Sequence, residues 1–179
     1  MKNTKFSFNR AWLVLTALLM SALVAVSFTS CKSDDDDDLP SGVEYLSSDS
    51  LLIGTWNGGT EQYPESYKIS KNDFSNGYYE GNELCVRNIS SSSGYIYIKY
   101  TRAYCSTHSD PTTYTYIYDT DAADVGKWYA IAFKDLTASS LSLSGAYGTV
   151  SSTSTLEEAI STFTIANGYF STYSECVKQ

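Results

Sequence analysis

The sequence has few of the residues on which acid–base and nucleophilic catalysis most often depend. Its 179 residues include a single histidine, His108, in the segment THSDP (107–111), where the aspartate and the proline favour a loop. Ser106 lies nearby but stands in no G-x-S-x-G or similar frame, and a catalytic histidine needs an oriented nucleophile and a supporting acid. Phosphate-binding loops and dinucleotide fingerprints are also missing. We therefore expect a protein that is not an enzyme, has no cofactor and carries His108 as an exposed loop residue.

Basic residues are scarce as well. The chain has 12 lysines and arginines against 20 aspartates and glutamates, and its formal net charge is −8. Three of the basic residues, Lys2, Lys5 and Arg10, lie within the first ten positions, so the rest of the chain is more acidic still. Because nucleic acids and anionic lipid surfaces repel an acidic chain, we expect neither to bind the folded domain.

Recognisable metal-binding spacing is missing too. None of the four cysteines lies in a CxxC motif or in a Cys/His pattern that suggests a metal. Asp119, Asp121 and Asp124 are close together, but they lack the fixed ligand positions and the closing glutamate of an EF-hand. We interpret them as a solvated turn and expect no metal site.

A long apolar run occurs once, in AWLVLTALLMSALVAVSF (11–28). It follows the basic first ten residues and leads through Thr29 and Ser30 to Cys31, which is the three-part pattern of a secretory signal peptide. The run is nearly long enough for a membrane-spanning helix, but an acidic segment follows it instead of a basic stop-transfer flank. We predict a signal peptide over residues 1–30, with cleavage before Cys31.

The four residues FTSC (28–31) resemble the lipobox of bacterial lipoproteins. Phe28 stands where leucine is usual, as in the relaxed lipoboxes of Bacteroidetes and spirochaetes. The resemblance implies that Cys31 carries the lipid, of the palmitate type, and becomes the first residue of the mature chain. Several acyl chains on one residue would anchor the protein stably to a membrane. The alternative is an ordinary secreted protein that is cut nearby.

Five consecutive aspartates, residues 34–38, follow the cysteine. Such a block of like charges stays solvated. Pro40, Ser41 and Gly42 follow it, and we interpret the whole stretch as flexible. We therefore predict a lipidated cysteine and an acidic tether over residues 31–42. The run KSDDDDD also resembles the acidic export tag of Bacteroidetes surface lipoproteins, which implies an outer-membrane lipoprotein exposed at the cell surface. The alternative is a spacer with no export role.

With Cys31 assigned to lipid, three cysteines remain, and three thiols cannot all pair within one chain. An exported domain permits disulfides. We expect one disulfide, between Cys105 and Cys176, and one buried thiol, Cys85.

Short segments of alternating polarity fill residues 51–147. In GYIYIKYT (94–101), for example, Ile96, Ile98 and Tyr100 point to one side and Tyr95 and Tyr97 to the other, as in a half-buried strand. The predicted strands cover residues 53–56, 67–70, 76–80, 83–88, 94–101, 112–119, 127–133 and 141–147. This number and spacing of strands suggests a sandwich or a barrel.

The segment STSTLEEAISTF (152–163) has a different period. Thr155 and Glu158 have the spacing of a capping box, and Leu156, Ala159 and Ile160 fall on one helical face. After it, we predict a strand and a turn at Asn167-Gly168 within residues 163–170. We conclude that residues 43–179 form an all-β domain, an antiparallel barrel of about eight strands with one short helix near the C-terminus.

Two family resemblances concern this domain. LLIGTW (51–56) resembles the G-x-W signature of lipocalins and other calycins, in which the tryptophan closes one end of the barrel; we cannot place the later T-D-Y motif or the closing arginine. IGTW, YKIS, SGYIYIKYT, DVGKWYAIAFKDLTASS, SGAY and TLEEAISTFTIANGYFSTYSEC resemble a group of uncharacterised Treponema lipoproteins. This second resemblance covers most of the mature chain and implies an outer-membrane or surface lipoprotein without a known reaction.

Tyrosine is the abundant residue, with 16 copies beside three tryptophans. Its flat apolar ring and its hydroxyl group suit binding faces, although strands also use tyrosine simply to pack their surfaces. The candidate ligand-binding residues are Trp56, Tyr97, Tyr114, Tyr116, Tyr118 and Trp128.

An eight-stranded barrel allows two functions, because its interior is just wide enough to be filled or to hold one ligand. We expect the first, in which an open apolar lumen binds a small apolar or amphipathic ligand; the second is the alternative. In the second, side chains fill the lumen, and an exposed aromatic patch meets a host or envelope protein.

Overall fold

The computed structural model describes residues 39–179, which form a closed antiparallel barrel with one helix, α1 (Leu156–Thr162). The strands are β1 (Glu44–Tyr45), β2 (Gly54–Gly59), β3 (Pro64–Ile69), β4 (Phe74–Ser75), β5 (Glu80–Ser90), β6 (Ser93–Tyr104), β7 (Tyr118–Asp119), β8 (Trp128–Lys134), β9 (Ser140–Gly145) and β10 (Ser174–Lys178).

Eight of these strands make the wall. β2 to β6, then β8, β9 and β10, are each hydrogen-bonded to the next, and β10 pairs with β2 to close the ring. β1 pairs with β5, and β7 pairs with the last residues of β6. Closure removes the long unpaired edges that an open sheet would expose. The prediction of an all-β, eight-stranded antiparallel barrel with one short helix near the C-terminus is confirmed.

Apolar side chains fill the interior of the barrel. Ile96 and Ile98 on β6 and Ile131 on β8 point inward and are almost completely buried, as the alternation in the sequence predicts. Gly81 shows how tight the filling is, because a Cβ atom there would lie 2.8 Å from the side chain of Ile98. Interiors packed to this density leave little free volume between side chains.

A second apolar cluster lies outside the wall. Tyr95 and Tyr97 point outward from β6 but are buried, because α1 and the segment after it cover them with Phe163 and Phe170. The small side chain of Ala130 on β8 allows this close approach.

The helix begins as the sequence predicts. The Thr155 hydroxyl accepts a hydrogen bond from the Glu158 amide at 3.2 Å, and the Glu158 carboxylate accepts one from the Thr155 amide at 3.3 Å. The capping box is therefore confirmed.

Three strand predictions were wrong. Residues 76–79 of the predicted strand 76–80 form the turn between β4 and β5. Residues 110–117 form a loop, and only Tyr118 and Asp119 of the predicted strand 112–119 pair with β6. The Asp110 side chain accepts hydrogen bonds from the amide and the hydroxyl of Thr112, which favours a turn over a strand. The predicted strand after the helix is also absent, since residues 163–170 form turns; Gly168, in the predicted Asn-Gly turn, has a φ of +80°.

The predicted signal peptide (1–30), the lipidated Cys31 and the aspartates 34–38 lie outside the described residues. Within residues 39–179, no helix is both long enough and apolar enough to cross a bilayer.

Candidate functional site at the tyrosine-lined end of the barrel

The two ends of the barrel differ. At one end the chain before β2 covers the opening, and Leu46 and Leu52 are buried there. The Trp56 indole Nε1 donates a hydrogen bond to the Leu52 carbonyl oxygen at 2.8 Å. Lys178 Nζ donates to the Leu51 carbonyl oxygen at 3.0 Å and lies 4.9 Å from the centroid of the Trp56 ring, within range of a cation–π interaction. These contacts tie the first and last wall strands to the covering segment, so we call this the closed end.

The opposite end carries exposed tyrosines on a projection of the wall. β6 continues beyond its pairing with β8 to Tyr104, which pairs with Tyr118 of β7, and residues 105–117 connect the two strands as a loop. The ring centroids of Tyr104 and Tyr118 are 5.9 Å apart, those of Tyr104 and Tyr116 are 6.3 Å apart, and Tyr78 lies 5.5 Å from Tyr118. We call these four residues the tyrosine rim.

The rim is unusually apolar for an exposed surface. Tyr78 is 60% exposed, Tyr116 is 55% exposed and Tyr104 is 41% exposed, while Tyr118 is half-buried. Because the four rings contact one another, they present a continuous surface of aromatic faces and hydroxyl groups. Desolvation is the largest cause that raises the pKa of Tyr118, and the three neighbouring rim tyrosines raise it further. Its hydroxyl therefore stays protonated at neutral pH.

A second layer of tyrosines lies beneath the rim and closes this end from inside. The rings of Tyr100 and Tyr129 are stacked at 4.9 Å, and Tyr79 packs edge-on to both. Tyr129 donates a hydrogen bond from its hydroxyl to the Ala146 carbonyl oxygen at 2.9 Å. Burial raises the pKa of all three phenols well above the ordinary value, so they remain neutral donors.

A cavity of 340 Å³ lies between the two layers, beside one carboxylate, Asp124. Asp124 accepts hydrogen bonds from Ser151 at 2.8 Å and Ser152 at 2.7 Å, and Lys127 Nζ lies 3.2 Å away. Burial would raise the pKa of Asp124, but these partners outweigh it and hold the pKa below the usual value. The carboxylate is thus charged and fully partnered, so it can orient a polar group but is poorly placed to exchange a proton.

The candidate residues from the sequence are spread over the molecule. Tyr116 and Tyr118 belong to the rim, and Tyr114, 81% exposed, lies at the tip of the same loop. Trp56 lies at the closed end.

The other two candidates are on the outer wall. Tyr97 is buried beneath α1, and Trp128 is half-buried with Lys99 Nζ 6.0 Å from its ring. The structure therefore brings together two of the six residues, with a third nearby in sequence.

Several residues of this end were missed. Tyr78 and Tyr79 lie in the tight turn 76–79, where the Asn76 side chain accepts hydrogen bonds from both of their amides. Tyr100 lies within the predicted strand 94–101 but was not named as a site residue, and Tyr104 lies in the part of β6 beyond that prediction. The double tyrosine at 78–79 was the available signal, but nothing local in the sequence places it beside residue 118.

The three cysteines among residues 39–179, Cys85, Cys105 and Cys176, are buried free thiols. Cys105 follows β6 and contacts Thr107, whereas Cys176 lies within β10, which pairs with β2 and β9. The expected Cys105–Cys176 disulfide is therefore not formed in the structure, since β6 and β10 are not neighbours in the wall.

Comparison with known proteins gives no match, whether with family models, with curated proteins or with solved structures. The resemblances to calycins and to Treponema lipoproteins therefore stay predictions that depend on sequence motifs.

Proposed function

We propose that this protein is a lipid-anchored surface protein that uses its barrel as a rigid support and binds a protein partner through the tyrosine rim. The observation that carries the proposal is the combination of a filled interior with contacting, exposed tyrosines on a projection. A filled lumen argues against an enclosed carrier, and of the two functions that an eight-stranded barrel allows, a packed lumen with an exposed aromatic patch favours interaction.

The chemistry of the rim suits protein recognition. Tyrosine provides a large contact area with few rotatable bonds, so little conformational entropy is lost on binding, and its hydroxyl accepts or donates hydrogen bonds. Serine and threonine surround the rim on the loop 105–117, a composition that binding loops commonly use. Asp119 and Asp121 lie beside it and favour a partner that is basic at its margin.

The anchor rests on the sequence. The lipobox-like FTSC and the following aspartates support lipidation at Cys31 and exposure at the surface of the outer membrane.

Lipidation can be tested in cells by metabolic labelling with a clickable palmitate analogue. We expect label in the wild-type chain and in the Cys85→Ser control, and none in Cys31→Ser. Label that persists in Cys31→Ser would contradict the anchor.

The rim can be tested by site-specific photo-crosslinking in cells. A photoreactive phenylalanine analogue replaces Tyr116, and the matched control places it at Tyr45, an exposed tyrosine near the closed end. We expect a discrete protein adduct from position 116 and none from position 45. The adduct should weaken at least tenfold with Tyr104→Ser and Tyr118→Ser in the same chain, as for residues central to an interface. No adduct, or equal adducts at both positions, would contradict the proposal.

The cavity favours a second candidate function, binding of a small amphipathic ligand beneath the rim. Its 340 Å³ is at the lower end of the volumes of small-molecule sites, and its walls combine aromatic rings with one charged carboxylate. Native mass spectrometry of the full chain distinguishes this function. A small-molecule adduct that is lost on denaturation supports it, and a clean apo mass after incubation with lipids or haem contradicts it.

A further inference from the structure

The loop beneath the rim brings together a thiol, an imidazole and carboxylates from two parts of the chain. Cys105 and His108 follow β6, and Asp119 and Asp121 end and follow β7. Cys105, His108 and Asp121 each offer one ligand atom, and these three atoms lie within 4.8 Å of one another. The sequence predicted only a solvated turn and an exposed loop histidine. It did not predict that these side chains converge, because the pairing of β6 with β7 brings them together.

The distances are close to those of a metal centre. His108 Nδ1 lies 3.2 Å from Asp119 Oδ2 and 3.8 Å from Asp121 Oδ1, and Cys105 Sγ lies 3.9 Å from the same Asp121 oxygen. Tetrahedral zinc, with bonds of 2.0–2.3 Å, separates its ligand atoms by about 3.4–3.6 Å. The two distances to Asp121 thus exceed the zinc values by only a few tenths of an ångström, and the Cys105 and His108 atoms, within 4.8 Å of each other, need to approach by at most about 1.2 Å.

We propose that Cys105, His108 and Asp121 bind one Zn²⁺ ion, with Asp119 or water as the fourth ligand. A thiolate sulfur, an imidazole nitrogen and a carboxylate oxygen together suit zinc, whereas calcium and magnesium select all-oxygen sites. Binding displaces the thiol proton to solvent, and the divalent ion then offsets the negative charges of the thiolate and the carboxylates.

The site has an inner and an outer side. Cys105 is 2% exposed and so is fixed by the surrounding core, whereas His108 and Asp121 are exposed and can close over an arriving ion. The bound ion would join the start of the loop 105–117 to the segment after β7. Zinc would thereby restrict the loop that carries Tyr114 and Tyr116, whatever the rim binds.

Zinc binding can be measured with the purified, reduced full chain, by competition against a chromophoric chelator and by Co²⁺ substitution. We expect one Zn²⁺ per chain, no comparable binding of Ca²⁺, and a sulfur-to-cobalt charge-transfer band. His108→Gln and Asp121→Asn change exposed side chains, and each should weaken binding by about 100-fold or more, since even residues behind the ligands account for about 10–100-fold. Cys105→Ser should abolish the cobalt–sulfur band.

Two matched controls should bind zinc as the wild type does. Cys176→Ser changes a buried thiol elsewhere in the barrel, and Asp110→Asn changes a carboxylate of the same loop outside the donor set. A wild-type chain that binds no zinc would overturn the proposal. So would His108→Gln and Asp121→Asn variants that bind with wild-type affinity, or a cobalt–sulfur band that survives in Cys105→Ser.

Discussion

At the scale of single residues, Lys178 and Trp56 join the closed end of the barrel to the segment that covers it. The lysine ammonium group lies over the indole ring and donates to the backbone of the covering segment, while the indole donates to the same segment one residue along. The two side chains therefore join β10, β2 and residues 51–52 through interactions that each contribute modestly. A methionine side chain has a similar aliphatic part to that of Lys178, but it has neither the positive charge nor the hydrogen-bond donor.

We predict that Lys178→Met lowers the free energy of unfolding by about 1–2 kcal/mol, the sum of a cation–π contact and one hydrogen bond. Urea unfolding followed by tryptophan fluorescence measures this change. The control is Lys68→Met, which changes an exposed lysine on β3 and should have little effect. Equal effects of the two substitutions would show that the contact contributes nothing specific.

The buried phenols Tyr100 and Tyr129 give the protein a pH dependence. Burial raises the pKa of both in the folded state, whereas in the unfolded chain they ionise near pH 10. Their contribution to stability is fully present below about pH 10 and is lost as the pH rises above it, because only the unfolded state releases the protons. We predict that the free energy of unfolding falls above about pH 10 by about 1.4 kcal/mol per pH unit for each phenol.

The measurement is urea unfolding at several values above and below about pH 10, with tyrosinate absorbance recorded in parallel. Tyr100→Phe removes one buried phenol and should make the fall less steep by about 1.4 kcal/mol per pH unit. Tyr45→Phe, at an exposed tyrosine, is the control and should leave the slope unchanged. A slope that Tyr100→Phe does not change would contradict the assignment.

At the scale of elements, α1 covers the outward face of β6 and β8, and its first turn depends on the capping box. We predict that Thr155→Ala lowers the free energy of unfolding by about 1 kcal/mol, since the Glu158 amide loses its acceptor. Thr155→Ser keeps a hydroxyl and should retain most of that stability. Thermal unfolding of the three chains makes the comparison, and equal loss in both variants would show that the hydroxyl does not act as a cap.

The sequence predicted correctly the elements whose own residue pattern shows which side chains are buried. The alternation in 94–101 and 127–133 separates an inner from an outer face in β6 and β8, and both faces are apolar because α1 covers the outer one. The helix is equally predictable, since its cap and its apolar face are local features.

Prediction failed where tertiary contacts or hydrogen bonds within a loop determine the local backbone structure. Alternating tyrosines at 114–118 mimic a strand, but Asp110 and Pro111 favour turns. Tyr114 and Tyr116 are exposed in a loop, and only Tyr118 pairs with β6. β10 was missed because SECVK has only one strongly buried residue, Cys176, and owes its extended form to β2 and β9.

The rim could not be predicted as a site for the same reason. Tyr78 meets Tyr118 only because β5 and β6 are neighbours and β6 continues beyond the wall to pair with β7. The thiol, imidazole and carboxylates of the loop converge through the same pairing, which no short motif records.

At the scale of the whole molecule, closure of the barrel depends on its last strand. β10 pairs with β9 and with β2, whose residues lie more than a hundred positions earlier in the chain. Removing residues 174–179 would leave two strand edges without hydrogen-bond partners and would uncover the core beside Cys176. Such long-range pairing also forms late, because a large loop must close first.

We predict that a chain lacking residues 174–179 has no cooperative unfolding transition in urea, whereas deletion of Gln179 alone leaves the transition in place. A synthetic peptide of residues 171–179 should restore the transition when added in excess, because it can supply the missing strand to β2 and β9. A scrambled peptide of the same composition is the control. A truncated chain that still unfolds cooperatively, or rescue by the scrambled peptide, would show that closure by β10 is not what holds this barrel together.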